Sequence, residues 1–471
     1  MTSSLAAHVQ ALPYTRDTGA RLAGLAERPG FMFLDSCRHA GSGRGRYDIV
    51  VCDPVTLIRT TGNVSTITGV EGIVTRDEDP FALVAAAVAE MGAVSCPLPF
   101  AGGAIGYFGY DLGRRLEQLP EIAARDIDIP DMVVGIYEHA IVVDHDQAQA
   151  WLVSHPRAQT SAEALHKAWA SQPAVTPAAF GTRFEVISQV QPEIDFGRYA
   201  IAWQRIQDYL QAGDVYQVNL AQRFSAQVRG APWDAYLRLR TLNPAPFSAY
   251  IGLGESAILS SSPERFIRVE GDVVETKPIK GTRRRSEDKV EDAALAAELA
   301  ESPKDRAENV MIVDLLRNDL GKTCLTGSVE VPTLFAIETY ARVHHLVSTV
   351  RGKIAPDRNC FDVLRACFPG GSITGAPKIR AMEIIEELEP NRRSVYCGAI
   401  GYASCNGQMD TNIAIRTLVQ HEGRLYCWAG GGIVIDSGLE AEYQESLTKA
   451  AAMLDVFAHA EIPGMDHQVR R

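Results

Sequence analysis

SPKDRAENVMIVDLLRND, residues 302–319, predicts a long helix with a carboxylate on its apolar face. Ser302 and Pro303 are typical of the N-cap and of the first helical position. Glu308 shares one face of that helix with Met311, Ile312 and Leu315. A carboxylate among apolar side chains is costly unless a cation pairs with it. The spacing alone leaves two alternatives open, a structural salt bridge to an arginine and a metal site.

A second acidic helix is predicted by LEAEYQESLTKAAAMLDVF, residues 439–457. Its apolar stripe consists of Tyr443, Leu447, Ala450, Leu454 and Phe457. Glu442, Glu445 and Lys449 fall together on a neighbouring face. These charges either are solvated beside a core helix or border a pocket. Glutamates from two separate helices, with no histidine or cysteine cluster, would suit Mg²⁺, because that ion prefers oxygen ligands.

Two glycine-rich loops, FPGGSITGAPKIRAMEIIEELEP (368–390) and WAGGGIVIDS (428–437), offer closely spaced backbone N–H groups. The first leads into a helix that begins near Pro377, and free N–H groups at a helix start favour an anion. It is not a P-loop, because Gly375 is followed by Ala-Pro-Lys. Each loop taken alone is more typical of a tight turn. Together with Arg416, the two loops favour a site for a small polycarboxylate.

The run ETKPIKGTRRR, residues 275–285, places Lys280 between an apolar residue and a group of cations. This lysine is either a solvated side chain in a basic turn or a nucleophile. His345 lies in a strand-like run, where a lone histidine is more often a satisfied core residue. Glu264, in the turn SSSPERF, is typical of a surface position. Local pattern alone gives none of these three residues a role in chemistry.

The composition argues against several classes of partner. The chain has 46 Lys and Arg against 58 Asp and Glu, and this net charge of −12 disfavours nucleic acid and anionic membranes. Its nine cysteines form no CxxC pair, which indicates reduced thiols rather than a zinc site. No signal peptide is visible, and no apolar run approaches the ~20 residues of a membrane span. We therefore expect a soluble, cytoplasmic protein.

Periodicity alone predicts a protein of mixed α and β structure. Residues 1–153 form an N-terminal region that contains strand-like and helical stretches. Residues 154–194 are rich in Ala, Pro, Ser, Thr and Gln, which is typical of a linker or a surface excursion. Stronger helix and strand patterns follow at 195–458, and residues 459–471 are left as a C-terminal tail.

Nine motifs in order give most of residues 195–455 a family resemblance. They are GDVYQVNLAQRF, SSPERF, KPIKGT, DRAENVMIVDLLRNDLG, VHHLVSTV, PGGSITGAPK, MDTNIAIRT, AGGGIVIDS and EYQESLTKA. Each motif is weak, but the ordered set resembles the chorismate-utilising enzymes: component I of anthranilate and aminodeoxychorismate synthases, and isochorismate synthases. The resemblance implies an α/β (α+β) fold, in which two large antiparallel sheets pack face to face with helices outside.

The resemblance also implies roles for single residues. Glu308 and Glu445 match the two glutamates that hold Mg²⁺ in this family, which favours the metal alternative for Glu308. Glu264 matches the general acid that protonates the leaving 4-hydroxyl group of chorismate, and His345 matches a histidine beside the substrate. The positions that match substrate-binding groups are Thr282, Ser372, Thr374, Arg416, Gly432 and Lys449.

Two positions distinguish the branches of the family. Isochorismate and salicylate synthases carry a lysine base where this chain has Gln217, whose neutral amide cannot take a proton. PIKGT at 278–282 resembles the aminodeoxychorismate synthases, whereas anthranilate synthases have alanine in place of Lys280. The resemblance implies that Lys280 adds at C2 of chorismate with loss of the 4-hydroxyl group. Ammonia then adds at C4 and expels the lysine.

Lys280 must be unprotonated to act as this nucleophile, although a free lysine has a pKa of about 10.4. We expect partial burial beside Ile279 to favour the neutral amine. We also expect repulsion from Lys277 and from residues 283–285, which are all arginines, to act in the same direction.

The implied product is 4-amino-4-deoxychorismate, on the route to 4-aminobenzoate and folate. No amidotransferase nucleophile is visible in the sequence, so a separate glutamine amidotransferase subunit, component II, is implied as the source of ammonia. One alternative is anthranilate synthase component I, of tryptophan biosynthesis, which eliminates pyruvate after amination at C2. The other is a non-catalytic subunit that binds tryptophan or a partner and has kept the fold.

A further group resembles the tryptophan pocket of these enzymes. Its members are Ser36, Arg46, Tyr47, Pro246, Phe247 and Ser248. Anthranilate synthases use that pocket for feedback inhibition, and aminodeoxychorismate synthases hold tryptophan as a structural ligand. FLDS at 33–36 departs from the LLES pattern of the feedback-sensitive enzymes, so bound L-tryptophan is expected without a regulatory role.

Overall fold

The computed structural model describes residues 5–40, 45–170, 184–340 and 343–454. The tail at 459–471 lies outside these ranges, as does Phe457. Nine α-helices are present in the described residues: α1 Pro80–Met91, α2 Glu163–Ala170, α3 Phe196–Ala212, α4 Pro232–Leu242, α5 Lys289–Glu301, α6 Pro303–Gly321, α7 Cys360–Cys367, α8 Lys378–Leu388 and α9 Leu439–Leu454. Within the described ranges, no helix is long and apolar enough to cross a membrane.

The same ranges contain 27 β-strands, most of them four to six residues long. In chain order they are β1 Leu5–Ala6, β2 His8–Leu12, β3 Met32–Asp35, β4 Tyr47–Val51, β5 Thr56–Thr61, β6 Val64–Gly69, β7 Gly72–Arg76, β8 Val94–Ser95, β9 Gly103–Phe108, β10 Met132–Tyr137, β11 His139–Asp144, β12 Gln149–Ser154, β13 Glu185–Val186, β14 Gln191–Pro192, β15 Gln217–Arg229, β16 Phe247–Gly252, β17 Ala257–Ser262, β18 Arg265–Glu270, β19 Val273–Thr276, β20 Ile279–Arg284, β21 Glu330–Thr339, β22 Val343–Lys353, β23 Gly375–Ala376, β24 Ala399–Ser404, β25 Gln408–Ile413, β26 Thr417–His421 and β27 Arg424–Ile433.

Nearly all of these strands belong to two large antiparallel sheets. The first sheet has the order β20-β22-β19-β18-β25-β24-β9-β10-β5-β6-β7, with β21 paired to β22. The second has the order β13-β15-β27-β26-β17-β16-β3-β4-β11-β12-β2, with β14 and β23 paired to β15. A short parallel pair, β1 with β8, stands apart from both.

Strands from the two ends of the chain alternate within each sheet. In the first sheet β9 pairs with β24, so that Ile105 lies opposite Tyr402. In the second sheet β3 pairs with β16, so that Phe33 lies opposite Tyr250. The regions before residue 154 and after residue 195 therefore share both sheets and are joined by backbone hydrogen bonds.

The two sheets pack face to face over one large apolar core. This core combines side chains of the first sheet, such as Ile105 and Val134, with side chains of the second, such as Met32 and Ile251. A second core lies between the other face of the second sheet and α3, α4 and α9. Alternate residues of β15 enter different cores, because successive side chains of a strand point to opposite faces. The predicted fold, two antiparallel sheets face to face with helices outside, is confirmed.

The segment 154–194 is packed against the rest of the protein over its described residues. Leu165 and Trp169 of α2 are buried, and the Trp169 indole N–H donates to the carbonyl oxygen of Pro13 at 2.8 Å. Strand β14 pairs with β15. These contacts attach both described ends of the segment to the second sheet and its outer core, while residues 171–183 lie outside the described ranges.

The two acidic helices form where the sequence predicts them. The Ser302 hydroxyl accepts the Asp305 N–H at the start of α6, and Pro303 occupies its first turn. The buried face of α6 is formed by Asn309, Ile312, Val313, Leu316, Asp319 and Leu320, with Glu308 half-buried beside it. Helix α9 buries Tyr443, Leu447, Ala450 and Leu454. Each helix thus presents a glutamate at the margin of its apolar stripe.

Candidate active site

Strand β20 brings Lys280 to the centre of the candidate site. Its Nζ atom donates a hydrogen bond to the backbone carbonyl oxygen of Ser372 at 3.1 Å. The pairing of β20 with β22 is irregular between Ile279 and Thr282, and Gly281 has a positive φ of 78° there. A Cβ at Gly281 would also lie 2.7–2.8 Å from Leu299 and Asp305. Glycine is therefore required beside Lys280 by both conformation and space.

Burial is the main cause that lowers the pKa of Lys280. Three carboxylates, those of Glu264, Glu308 and Glu445, act in the opposite direction and favour its charged form. The cation that adds to the lowering is Lys449. Because Lys449 lies on α9, 169 positions further along the chain, the sequence around Lys280 gave no sign of it.

The expectation that the neighbouring cations of the ETKPIKGTRRR run repel Lys280 is wrong. Each of them is neutralised by a carboxylate of its own: Lys277 by Glu338 at 2.6 Å, Arg283 by Glu298 at 2.9 Å, Arg284 by Glu291 at 2.5 Å and Arg285 by Asp292 at 2.8 Å. Most of these acids come from α5, which packs against β20 and β22. The basic run is thus a structural contact with an acidic helix.

Glu264 occupies the turn between β17 and β18 and is buried, with 7 % of its surface exposed. Burial raises the pKa of this carboxyl, while Lys280 and a hydrogen bond from the Ser372 side chain act to lower it. The net direction favours the protonated acid. A raised pKa increases the fraction of the carboxyl that holds a proton to give to a leaving oxygen, which is the role predicted for Glu264.

Glu308 of α6 and Glu442 and Glu445 of α9 form a carboxylate cluster next to Lys280. Burial raises the pKa of Glu308, and Glu442 adds to that rise. Burial likewise raises the pKa of Glu442, and Glu445 adds to it. The Lys304 Nζ atom lies 3.9 Å from Oε1 of both Glu308 and Glu442. Glu445 differs, because Lys449 outweighs the effect of burial and lowers the pKa of this carboxyl. Like charges therefore lie close together mainly at Glu308 and Glu442, where a cation relieves their repulsion.

The cluster suits Mg²⁺ in the chemistry of its donors. Its carboxylates supply the hard oxygen ligands that this ion prefers, from two rigid helices. Across the described ranges, no group of three or more His, Cys, Asp or Glu side chains is arranged so that it could hold a metal ion, so at most two of these glutamates act together as ligands. Mg²⁺ usually keeps several water or substrate oxygens, so an incomplete protein shell fits it.

Glu442 is a member of this cluster to which sequence reasoning assigned no role. Its carboxylate accepts a hydrogen bond from the Ser437 hydroxyl at 2.7 Å and is 5 % exposed. The sequence did contain an indication of this position, because the spacing of Glu442 and Glu445 places them on one face of the helix. Lys449, on the same face, pairs with Glu445 at 2.7 Å and donates to the carbonyl oxygen of Gly430 at 2.9 Å.

His345 lies on β22 opposite Thr282, and the Thr282 hydroxyl and the His345 Nδ1 atom are hydrogen-bonded at 2.9 Å. Burial, reinforced by Arg416, lowers the pKa of His345 to about 4. The imidazole is therefore neutral at pH 7. Arg416 is exposed to solvent, yet desolvation by the surrounding protein lowers its pKa, as expected for a side chain that lines a concave site. No carboxylate of the described residues forms an ion pair with it.

The loop that contains Ser372 and Thr374 reaches the site mainly through its backbone. The Thr374 side chain is fully buried, and its hydroxyl donates to the carbonyl oxygen of Gly370 at 3.0 Å. Strand β15 holds the loop, because the Asn219 N–H donates to the Thr374 carbonyl oxygen at 2.8 Å. Gly432 lies directly opposite Asn219 on β27. The predicted substrate-binding positions Ser372, Thr374 and Gly432 are thus brought together around the start of β15.

A buried ion pair that was not predicted from the sequence holds the Ser372 loop in place. Arg393 and Glu389 form a salt bridge at 2.7 Å, and their side chains are 1 % and 4 % exposed. Arg393 also donates to the carbonyl oxygens of Ile373 at 2.8 Å and Asn219 at 2.7 Å. Its guanidinium thereby ties the Ser372 loop to β15.

A separate cavity of about 380 Å³ lies between the two sheets. Five of the residues predicted for tryptophan line it: Arg46, Tyr47, Pro246, Phe247 and Ser248. Ser36 differs, because it is not among the lining residues and its hydroxyl donates to Asp48 at 2.7 Å. Ile279 also lines the cavity, next to Lys280 in sequence.

The comparison with known proteins agrees with this geometry. Residues 33–455 match the model of one protein family, whose description is chorismate binding enzyme. The chain belongs to the chorismate-binding enzyme family. The family match covers every residue of the candidate site and all strands of the two sheets except β2 and the first residue of β3, so the resemblance inferred from nine motifs is confirmed.

Two curated members of this chorismate-binding enzyme family are similar over most of their length. Aminodeoxychorismate synthase component 1 of Escherichia coli is 47 % identical over 91 % of this chain and 94 % of its own. Anthranilate synthase component 1 of Acetivibrio thermocellus is 37 % identical over 91 % and 90 %. Among solved structures, anthranilate synthase component I of Streptococcus pneumoniae has a TM-score of 0.77 and 36 % identity, over 87 % of this chain and 92 % of its own.

Proposed function

We propose that this chain is component I of an aminodeoxychorismate synthase and converts chorismate and ammonia to 4-amino-4-deoxychorismate and water. The observation that carries the proposal is the position of Lys280, whose Nζ atom lies against the Ser372 loop and interacts with Glu264 and Glu308. The higher identity to an aminodeoxychorismate synthase, 47 % against 37 % for an anthranilate synthase, supports the same branch.

In the proposed reaction the neutral amine of Lys280 forms a bond to C2 of chorismate. Both ring double bonds shift, from C1–C2 to C1–C6 and from C5–C6 to C4–C5. The C4–O bond breaks, and Glu264 gives its proton to the departing hydroxyl, which leaves as water. Ammonia then forms a bond to C4 while the C2–Nζ bond breaks and its electron pair returns to Lys280. The proton released from the ammonia nitrogen restores Glu264 as an acid. The enolpyruvyl group is untouched throughout.

Mg²⁺ belongs to the proposal as a resident cofactor held by Glu308 and Glu445. When bound, the ion would supply positive charge for the ring carboxylate of the substrate. Arg416, for which the described residues offer no acidic partner, suits another negative group of the substrate. Thr282 and the neutral His345, which are hydrogen-bonded to each other, would form further hydrogen bonds to the substrate beside Arg416.

The ammonia is proposed to come from a separate glutamine amidotransferase subunit. The support is the word component in the name of the Escherichia coli relative, which implies a partner subunit. Free ammonium at high concentration should replace that partner in a direct assay.

The decisive experiment is mass spectrometry of the product after the chain is incubated with chorismate, MgCl₂ and ammonium. A product with the enolpyruvyl group and one nitrogen in place of a hydroxyl is expected. Lys280→Ala should abolish it, and Glu308→Gln should reduce it and raise the Mg²⁺ concentration needed. Anthranilate as the product would contradict the proposal and support the second enzymatic alternative. No turnover with any nitrogen source would favour a binding subunit.

A second proposal concerns the cavity between the sheets, for which L-tryptophan is the proposed ligand. Its volume of about 380 Å³ suits one small molecule, and its lining combines Phe247 and Tyr47 with the charged Arg46 and Glu338. Tryptophan should be released when the purified protein is denatured and extracted, and Phe247→Ala should retain less of it. Extracts without tryptophan, together with no heat of binding in calorimetry, would contradict this assignment.

A further inference from the structure

We infer that Lys304 is a built-in counter-ion of the carboxylate cluster, which Mg²⁺ must displace in order to bind, an inference that rests on the proposed function. Lys304 is the second residue of α6, directly after Pro303. The proposed reaction gives this lysine no role, although its ammonium group lies beside Glu308 and Glu442. Lys304 would therefore set how tightly the site holds a divalent cation.

The ammonium group of Lys304 lies at the same distance from carboxylates of two helices. Its Nζ atom is 3.9 Å from Oε1 of Glu308, one turn further along α6, and 3.9 Å from Oε1 of Glu442 on α9. The two acidic side chains are 18 % and 6 % exposed, whereas that of Lys304 is 57 % exposed. Lys304 thus reaches the carboxylates from the solvent side and joins α6 to α9.

Lys304 is held more loosely than the other two lysines of the site. Lys280 and Lys449 each donate a hydrogen bond to a backbone carbonyl oxygen, at 3.1 Å and 2.9 Å. Lys304 makes no such bond to the described residues, and 3.9 Å is too long for a direct hydrogen bond to either carboxylate. Because only the attraction between charges holds it, this side chain can move into solvent at little cost.

The charge of Lys304 acts on all three carboxylates of the cluster. Burial raises the pKa of Glu308 and of Glu442, and Lys304 opposes that rise in both. Burial also acts on Glu445, but Lys449 lowers the pKa of this carboxyl overall, and Lys304 adds to the lowering. A cation that stabilises these carboxylates as anions does for the metal-free protein what a bound metal ion would do.

Lys304 and Mg²⁺ neutralise the same negative charge, so each weakens the binding of the other. In the metal-free protein, Lys304 relieves the repulsion between Glu308 and Glu442 and keeps α6 and α9 together. Once a divalent cation binds, it relieves the same repulsion, and the ammonium group moves away into water. Removal of Lys304 should therefore both destabilise the metal-free protein and tighten the binding of the metal.

Lys322, at the other end of α6, offers a matched control. Its side chain is 53 % exposed and pairs with Asp319 of the same helix at 2.8 Å. The 18 positions from residue 304 to residue 322 correspond to about 27 Å along a helix. Lys322→Gln therefore removes the same charge from the same helix, far from the carboxylate cluster.

The test measures Mn²⁺ binding to the full chain without substrate, by electron paramagnetic resonance of the free ion, because carboxylate sites suit both Mg²⁺ and Mn²⁺. In Lys304→Gln the Kd for Mn²⁺ should fall about three- to tenfold, the range expected when a competitor held by two partly exposed ion pairs is removed. Lys304→Arg, which keeps the charge, and Lys322→Gln should both stay within about twofold of the wild-type Kd.

Thermal unfolding gives a second measurement, which a merely structural ion pair would not reproduce. In the absence of divalent cations, Lys304→Gln should have a lower Tm than wild type, whereas at saturating Mg²⁺ the two Tm values should coincide. For Lys322→Gln any difference in Tm from wild type should be the same under both conditions.

The possible results separate this inference from the proposed function. Equal or higher Kd values for Mn²⁺ in Lys304→Gln overturn the inference alone. A lower Tm that persists at saturating Mg²⁺ also overturns it, by assigning Lys304 a structural role. Anthranilate as the wild-type product overturns the proposed function alone, since metal binding is measured without turnover. No Mn²⁺ binding by wild type or Lys304→Gln overturns both the inference and the Mg²⁺ part of the proposed function.

Discussion

Ser372 links Lys280 and Glu264: its carbonyl oxygen accepts a hydrogen bond from the Lys280 Nζ atom at 3.1 Å, and its side chain hydrogen-bonds to the Glu264 carboxyl. Burial lowers the pKa of Lys280 and raises that of Glu264, so the two values approach each other. When the pair shares one proton, a larger fraction then has it on Glu264, with Lys280 neutral. That arrangement is the one in which both groups can react.

The pair predicts a bell-shaped pH dependence of chorismate consumption. The rate falls at low pH because both groups are protonated, and at high pH because neither is. In Glu264→Gln the rate should drop by about 10²–10⁴-fold, and the residual activity should rise with pH through the pKa of Lys280 without an alkaline decline. Initial rates at saturating chorismate and ammonia test this. A pH profile that stays bell-shaped in Glu264→Gln would show that another residue is the general acid.

Among the nearby cations, Lys449 and not the arginines next to Lys280 in sequence should add to the lowering of the Lys280 pKa that burial causes. Lys449→Met removes a cation that favours the neutral amine, so the pKa of Lys280 should rise. Arg284→Ala breaks only an exposed pair with Glu291 and should leave that pKa unchanged. The measurement is the pH dependence of Lys280 acylation, followed by peptide mass spectrometry, which does not depend on turnover. Equal shifts in both variants would contradict the assignment.

His345 should make the protein less stable to acid. Its pKa is about 4 in the folded protein against an ordinary 6.5, so the unfolded chain binds more protons between these values. The neutral imidazole contributes up to about 3 kcal/mol to the free energy of unfolding. This contribution is fully present above pH 6.5 and is lost as the pH falls towards 4. Urea unfolding of wild type and His345→Gln across that range should give curves that converge at low pH. Parallel curves would indicate that the imidazole does not titrate in this way.

The buried pair of Arg393 and Glu389 should dominate the stability of the Ser372 loop. Arg393→Met leaves the Glu389 carboxylate buried without its cation and should lower the free energy of unfolding by about 3–5 kcal/mol. The double variant with Glu389→Leu should recover part of that loss. Arg317→Met, which breaks an exposed pair with Asp314, is the control and should cost about 1 kcal/mol or less. Equal losses of unfolding free energy for Arg393→Met and Arg317→Met would contradict this stabilising role of the buried ion pair.

The sequence predicted best those features that depend on neighbouring positions. Helix α6 begins at Pro303 as its capping residues indicate, and α9 buries the stripe that its spacing defines. The ordered motifs added the fold, because they reflect a family that retains it. Helical spacing even placed Glu442 beside Glu445, although no role followed from that face alone.

Contacts between distant segments could not be predicted in the same way. The partners of the arginines at 283–285 come from α5 and α6, and the cation near Lys280 comes from α9. Strand register decides that Gln217 faces Gly432, and no local pattern encodes register between strands more than 200 residues apart. The Arg393–Glu389 pair has helical spacing in the sequence, but its burial depends on how β15 and the Ser372 loop pack around it.

The alternation of early and late strands within both sheets has a consequence for the synthesis of the protein on the ribosome. Strand β9 emerges nearly 300 residues before its neighbour β24, and β3 emerges more than 200 residues before β16. Until those partners are made, the nascent chain exposes unpaired strand edges and apolar faces, which favour aggregation. Folding of this enzyme is therefore expected to be largely post-translational and dependent on chaperones, with neither half stable when it is expressed alone.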